Sequence, residues 1–304
     1  MTGPAPVEPS SIGPAPAGPA PAGPAPANPG PADLAPADPA PAGPAPADPA
    51  PAGATLGPAE REVRLAIYRT FAGLGRPPSV AELAAATGRA EAAVRAALRA
   101  LHDARAIVLT PAGDAVRMAH PFSAAPMGFL VRADGPGPAG YAGDRMWWGG
   151  CAWDSFGIGA ALDEPVAILT RCPGCGRELA VRAGPAQASE QAPATRPGEG
   201  PPDSALVVRI PVTARAWWDD VVATCGDIRL FCDQAHVDAW ARAQPPHQPP
   251  RSVGRVIPAA TMWRLAQVWY GDRLDPDWAP RPVAAAQELL RRCGLTGDFW
   301  RLPG

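Results

Sequence analysis

The sequence predicts an α+β fold in which a winged-helix-like domain precedes a small mixed β-sheet domain flanked by helices. Apolar residues recur at helical spacing between residues 58 and 104, and short apolar runs alternate with helical segments after residue 120. The 43 Pro and 32 Gly are unevenly placed, and residues 1–57 hold much of the excess. We therefore divide the chain into a tail of residues 1–57, a winged-helix-like domain of residues 58–120 and a C-terminal domain of residues 121–304.

The tail of residues 1–57 repeats Pro-Ala-Pro-Ala segments separated by Gly or Asp, with almost no aromatic or branched apolar side chain. Such a segment cannot bury enough apolar surface to offset the entropy lost on ordering. We predict that it is disordered and partly in the polyproline II conformation.

Three helices and a hairpin are predicted in residues 58–120. The first helix ends at Gly75. Ser79 caps the second helix, and Glu82 completes a capping box. The third helix covers residues 90–104, and residues 107–116 form a hairpin, which together make a winged helix.

Winged helices often bind DNA, but the charge here is modest. The segment from Pro58 to His120 contains nine arginines and six acidic residues, a net charge of about +3. The third helix presents Arg95 and Arg99 among alanines, where base-reading side chains would be expected. A structural role is favoured, and DNA binding stays the alternative.

The rest of the chain is predicted to form short strands and helices in turn. The predicted strands are 127–131, 166–170, 178–182, 205–211 and 229–232; the predicted helices are 150–162, 233–242, 258–270 and 282–293; the predicted loops are 135–138, 184–203 and 245–250.

The formal net charge of −2 argues against a globally basic nucleic-acid binder. No run of 18 apolar residues appears, so no membrane span is expected, and the first residues lack the pattern of a secretory signal. We predict a cytoplasmic protein whose six cysteines are reduced.

The segment Trp147-Trp148-Gly149-Gly150-Cys151-Ala152-Trp153-Asp154 places a thiol and a carboxylate three residues apart, on one face if it is helical. A thiolate binds soft metals, a helix N-terminus stabilises it, and a carboxylate can hold and deliver a proton. We expect Trp147, Trp148 or Trp153 to line the pocket. The alternative is a packing cysteine beside a surface aspartate.

Cys172 and Cys175 form Cys-Pro-Gly-Cys, which is typical of half a zinc site. Cys225 and Cys232 are separated by six residues and would make a poor second half. A four-cysteine zinc site is therefore a weaker alternative, and Cys293 is predicted to be a packing residue.

Three features taken together resemble the organomercurial lyase (alkylmercury lyase) family. They are Cys151-Ala152-Trp153-Asp154, the following Cys172, and Thr224-Cys225-Gly226 leading into the apolar run 228–231. The resemblance implies that Cys151 and Cys225 are the catalytic cysteines, with Cys225 favoured over Cys232 because it precedes the apolar strand. It also implies a structural Cys172, with Cys175 an addition. Gly149-Gly150 departs from the family, which more often has an aromatic residue directly before the cysteine.

The activity implied by the resemblance is cleavage of a carbon–mercury bond. Cys151 and Cys225 hold mercury while Asp154 passes a proton to the departing carbon, so that a hydrocarbon and mercuric ion are the products. Cytosolic thiols or a mercuric reductase then accept the mercuric ion, and no organic cofactor is implied. The alternative is a winged-helix regulator whose C-terminal cysteines sense a soft metal or thiols while the helices bind DNA.

Overall fold

A computed structural model describes residues 55–134, 145–184, 205–243 and 254–303. The predicted tail, except residues 55–57, lies outside these ranges, as do the predicted loops 135–138 and 245–250 and all but the first residue of the loop 184–203. The predicted α+β class is confirmed, because eight α-helices and two sheets are present within the described ranges.

The helices are α1 (Pro58–Leu74), α2 (Val80–Thr87), α3 (Glu91–Asp103), α4 (Ala152–Leu162), α5 (Val221–Asp227), α6 (Gln234–Arg242), α7 (Ala259–Tyr270) and α8 (Val283–Arg292). The strands are β1 (Val108–Leu109), β2 (Val116–Ala119), β3 (Phe122–Ser123), β4 (Phe129–Ala133), β5 (Met146–Gly149), β6 (Val166–Arg171), β7 (Glu178–Ala183), β8 (Val207–Ile210), β9 (Arg229–Phe231) and β10 (Arg255–Pro258). Among the helices described, none has the length and apolar character needed to cross a membrane.

The three N-terminal helices form where the sequence predicts them. Helix α1 buries one apolar face and ends at Gly75, whose φ of 65° is left-handed. Ser79 and Glu82 form the predicted capping box at the start of α2. Helix α3 buries Val94, Leu98 and Leu101, so the helical spacing of its apolar residues is confirmed.

Within the ranges that the structure describes, all paired strands are antiparallel. The larger sheet has the order β1-β2-β3-β5-β4-β6-β7, and the smaller sheet has the order β10-β8-β9. The predicted mixed sheet is therefore wrong. Helix α4 connects β5 to β6, which point the same way, but β4 lies between them and pairs with both. A helical crossover thus occurs without creating a parallel pair.

The predicted hairpin is continuous with the sheet that leads to Cys151. Strand β1 pairs with β2, β2 with β3, and β3 with β5, whose last residue is Gly149. The elements predicted as a separate wing therefore share a sheet with the strand that precedes Cys151.

Helix α4 lies in the core, with nine of its eleven residues buried. It packs on the larger sheet and against α7. The two helices approach each other at Gly157, where a Cβ atom would overlap the ring of Tyr270. The missing side chain lets the last residue of α7 reach the first turn of α4.

Candidate active site

Cys151 is the N-cap of α4, so the helix begins two residues later than predicted. Its backbone is extended, and its Sγ accepts a hydrogen bond from the backbone N–H of Asp154 at 3.3 Å. This is the N-cap arrangement, in which a side chain satisfies an unpaired amide of the first turn. A thiol at a helix N-terminus, as the sequence predicts, is thus what the structure contains. A Cβ at Gly150 would overlap Asp154 Oδ2, which explains the glycine before it.

Asp154 is 1% exposed and its carboxylate has three side-chain partners. The Tyr270 hydroxyl donates to Oδ1 at 2.6 Å. On the other oxygen, Oδ2, His120 Nδ1 lies 3.1 Å away and the Cys225 thiol donates from 3.9 Å. A buried carboxylate held this way has a fixed orientation relative to the thiol.

Cys225 lies on the short helix α5, just before β9, and is 7% exposed. The Asp220 side chain caps this helix by accepting the backbone N–H of Ala223 at 2.9 Å. The thiols of Cys225 and Cys151 both line the same cavity, and each shifts the pKa of the other. The structure therefore brings together all three predicted site residues, although 71 positions separate Asp154 from Cys225.

The pKa values of both thiols are raised, for partly different reasons. Burial raises the pKa of Cys151 well above its ordinary value, and its hydrogen bond with Cys225 and the charge of Asp154 act in the same direction. The hydrogen bond with Cys151 lowers the pKa of Cys225, but burial and the charge of Asp154 outweigh it. Both cysteines therefore hold their protons at neutral pH.

The three residues open into a cavity of about 220 Å³ with an aromatic wall. The Trp153 ring centroid lies 5.2 Å from that of Trp217, 5.1 Å from that of Trp269 and 5.8 Å from that of Tyr270. Such a wall suits an apolar group placed beside the polar residues.

Of the alternatives Trp147, Trp148 or Trp153 that the sequence offers for the pocket, the structure selects Trp153. Trp147 is buried against the end of α1, where its Nε1 donates to the carbonyl of Phe71 at 2.9 Å, and neither residue lines the cavity. Both lie on β5, which ends at Gly149 before the chain reaches the site. Of the three tryptophans expected, only Trp153 lines the cavity.

His120 and Tyr270 contact the carboxylate, and neither is among the residues that the sequence predicts for the site. The His120 carbonyl accepts a hydrogen bond from the Tyr68 hydroxyl of α1 at 2.9 Å. Its Nε2 is buried and has no hydrogen-bond partner among the residues described. The two residues lie 34 and 116 positions from Asp154, and no local motif marks them.

A second group of cysteines lies outside this cavity. The Sγ atoms of Cys172, Cys175 and Cys232 are all within 4.8 Å of one another. A zinc site that also uses Cys225 does not match this geometry, because the Cys225 thiol donates to Asp154. Burial acts to raise the pKa of Cys172, but backbone N–H donors lower it below its usual range, while burial raises the pKa of Cys232 to about 12. Cys293 is half-buried at the end of α8.

Comparison with known proteins agrees with this geometry. The alkylmercury lyase (MerB) family model matches residues 122–271, a range that contains Cys151, Asp154 and Cys225. The fold is similar to the crystal structure of the mercury-bound form of MerB2, with a TM-score of 0.50 at 19% sequence identity over 73% of this chain and 94% of that chain. Comparison with curated protein sequences gives no match. The family match, over the part of the chain that holds both thiols and the carboxylate in one pocket, leads to one conclusion: residues 122–271 are an alkylmercury lyase domain.

Proposed function

We propose that this alkylmercury lyase cleaves the carbon–mercury bond of organomercurials by protonolysis, with Cys151, Cys225 and Asp154 as its catalytic residues. The observation that carries the proposal is the arrangement of two thiols, each in contact with Asp154, in a buried, aromatic pocket. Thiolates are the preferred side-chain ligands of soft metal ions, and the carboxylate lies where it can move a thiol proton.

Capture of the substrate begins with loss of a thiol proton, because both cysteines are protonated at neutral pH. Asp154 Oδ2, 3.9 Å from the Cys225 sulfur, is the acceptor. The Cys225 thiolate then bonds to mercury and displaces the small thiol that carried the organomercurial. Cys151 binds next, because its sulfur and that of Cys225 both lie at Asp154 and can reach the same ion.

Cleavage moves one proton to carbon. Two cysteine protons are lost in total: one leaves with the displaced small thiol, and the other passes through Asp154 to the carbon bonded to mercury. The electron pair of the carbon–mercury bond forms the new carbon–hydrogen bond. A hydrocarbon departs, and the mercuric ion stays bonded to the two sulfurs.

His120 and Tyr270 act as positioning residues for the carboxylate. Tyr270 holds Oδ1 and His120 contacts Oδ2, the oxygen that faces Cys225. Such contacts fix the geometry of proton transfer, on which the rate of general acid–base catalysis depends. The aromatic wall of Trp153, Trp217 and Trp269 would receive the organic group of the substrate.

We propose that the N-terminal helices, together with β1 and β2, form a winged-helix-like unit with a structural role. We also propose that the protein is cytoplasmic and passes mercuric ion to small thiols or a mercuric reductase. Two observations support the structural role, a contact with His120 and ion pairs that involve surface arginines. Tyr68 of α1 donates to His120, next to the site. The arginines on this surface include Arg89 and Arg95, which pair with Glu62 and Glu91 and so offer less free charge to DNA.

The test is turnover of phenylmercuric acetate by the full chain with excess small thiol, with benzene measured by gas chromatography. The wild-type protein should release benzene over many turnovers, whereas Cys151→Ser and Cys225→Ser should not. Cys293→Ser is the matched control, because this half-buried cysteine lies outside the cavity, and it should keep full activity. Undiminished benzene release by either active-site variant would refute the assignment of that cysteine.

A further inference from the structure

The cluster of Cys172, Cys175 and Cys232 is built from two distant parts of the chain. Cys172 and Cys175 lie in the turn between β6 and β7, and Cys232 lies between β9 and α6. Cys172 and Cys232 are buried, whereas Cys175 is exposed, and none of the three lines the active-site cavity. The proposed lyase mechanism therefore leaves these three thiols without a role.

The turn that carries the first two cysteines has the form of a metal-binding knuckle. The backbone N–H groups of Cys232, Gly174 and Cys175 lie on the side of the Cys172 sulfur and act to lower its pKa. The Gly176 N–H donates to the Cys172 carbonyl at 2.8 Å, and Gly176 has a φ of 73°, which favours glycine. Several amides aimed at one sulfur stabilise a thiolate, the form of cysteine that binds metal.

The sulfur spacing discriminates between the possible occupants. The Cys175 and Cys232 sulfurs are 3.7 Å apart. Zinc–sulfur bonds of about 2.3 Å in a tetrahedron place two sulfurs about 3.8 Å apart. A two-coordinate linear ion would hold them on opposite sides at roughly twice the bond length, and a disulfide would hold them at about 2.05 Å. The distance fits a tetrahedral site.

A fourth ligand of suitable type follows on α6. His236 comes four positions after Cys232, and its backbone carbonyl and Cβ lie against Gly174 of the knuckle. Its Nδ1 lies 2.8 Å from Asp233 Oδ1, a contact that the ring would leave on rotating to present Nε2, whose lone pair can bind a metal. The ring is 34% exposed, so it has room to rotate toward the sulfurs.

We propose that Cys172, Cys175 and Cys232 bind one zinc ion, with His236 Nε2 as the fourth ligand after rotation of its side chain. The closed set of three sulfurs and one nitrogen is that of a structural site, with no open position for catalysis. The ion joins the β6–β7 turn of the larger sheet to the end of β9 in the smaller sheet, close to the helix that carries Cys225. The site is independent of the proposed lyase chemistry.

The test is elemental analysis of full-length protein purified without added metal or mercurial, together with absorption spectra after cobalt replaces zinc. The expected content is about one zinc per chain, and cobalt should give the intense bands of tetrahedral thiolate coordination. Cys175→Ser is the decisive variant because the exposed side chain should be replaceable without unfolding, which circular dichroism checks. It should lose most of the zinc, whereas Cys225→Ser and Cys293→Ser should retain it.

His236→Ala tests the fourth ligand separately. It should keep the cobalt–thiolate bands but weaken zinc affinity by at least about tenfold, as loss of one ligand or its support does. Unchanged affinity would overturn the assignment of His236. Folded wild-type protein that binds neither zinc nor cobalt would overturn the site, and so would zinc that is lost in Cys225→Ser but retained in Cys175→Ser.

Discussion

Asp154→Asn should separate capture of mercury from cleavage of the carbon–mercury bond. Asparagine keeps the size of the side chain and an Oδ1 that can accept from Tyr270, now at 2.6 Å. Its amide cannot receive the Cys225 proton across 3.9 Å or deliver it to carbon. General acid–base catalysis contributes about 10²- to 10⁴-fold, so cleavage should slow by at least about a hundredfold, or about 2.7 kcal/mol in the barrier.

Mercury capture should survive the same change. The charge of Asp154 raises the pKa of both Cys151 and Cys225, so its removal makes both thiols more acidic. A larger thiolate fraction at neutral pH should compensate for the lost proton acceptor during binding. The variant should therefore bind phenylmercury as tightly as the wild type and retain it uncleaved.

The assay is a single turnover with less phenylmercuric acetate than protein, in which benzene and protein-bound mercury are measured separately. Asp163→Asn is the matched control, because this exposed aspartate ends the same helix. Asp154→Asn that releases benzene within about threefold of the wild-type rate would refute proton delivery by Asp154. Loss of mercury binding together with cleavage would instead show that the carboxylate is needed for capture.

Three further predictions concern the surroundings of the site. Tyr270→Phe removes a hydrogen bond to a charged group worth about 1.5–3 kcal/mol, so benzene release should fall roughly tenfold to a hundredfold, and an unchanged rate would exclude a positioning role. His120→Ala should slow cleavage about tenfold while mercury stays bound. The control is His102→Ala on α3, and an equal loss of cleavage rate in the two variants would contradict a specific contact between His120 and Asp154. Folding raises the pKa of the Cys151 and Cys225 thiols, so each protonated thiol adds to the free energy of unfolding. This contribution is fully present below the thiol pKa in the unfolded chain, about 8.5, and is lost as pH rises toward the thiol pKa in the folded protein. Urea unfolding should show stability falling above that pH by up to about 1.36 kcal/mol per pH unit for each thiol, and Cys151→Ser should reduce the slope, whereas identical slopes would contradict the raised pKa.

The sequence was informative where the determinants are local. The helical spacing in α1 to α3, the capping box at Ser79 and the pairing of Cys151 with Asp154 depend on residues a few positions apart. Cys225 could be chosen over Cys232 only through the family resemblance, since nothing around either residue shows which partner it meets in the fold.

Tertiary contacts account for what was missed. His120 reaches Asp154 from the turn after β2, and Tyr270 reaches it from the end of α7. Their importance exists only once these elements pack on α4. Strand β5 is four residues long, and its two tryptophans were interpreted as pocket residues because strand alternation is not visible over so short a run. The antiparallel order likewise depends on β4 lying between β5 and β6, a choice made by packing rather than by the connecting helix.

The contact between Tyr68 and His120 bears on how such a chain can change during evolution. Tyr68 belongs to α1, and through the His120 backbone it is one residue removed from the carboxylate. A recombination event that exchanged the N-terminal helices for those of another protein would remove this support, and a junction after residue 120 would remove the histidine too. We therefore expect these helices and the sheet behind them to be inherited as one unit. We also expect substitutions in α1 to be selected for their effect on the reaction at Asp154, although α1 itself does not contact the substrate.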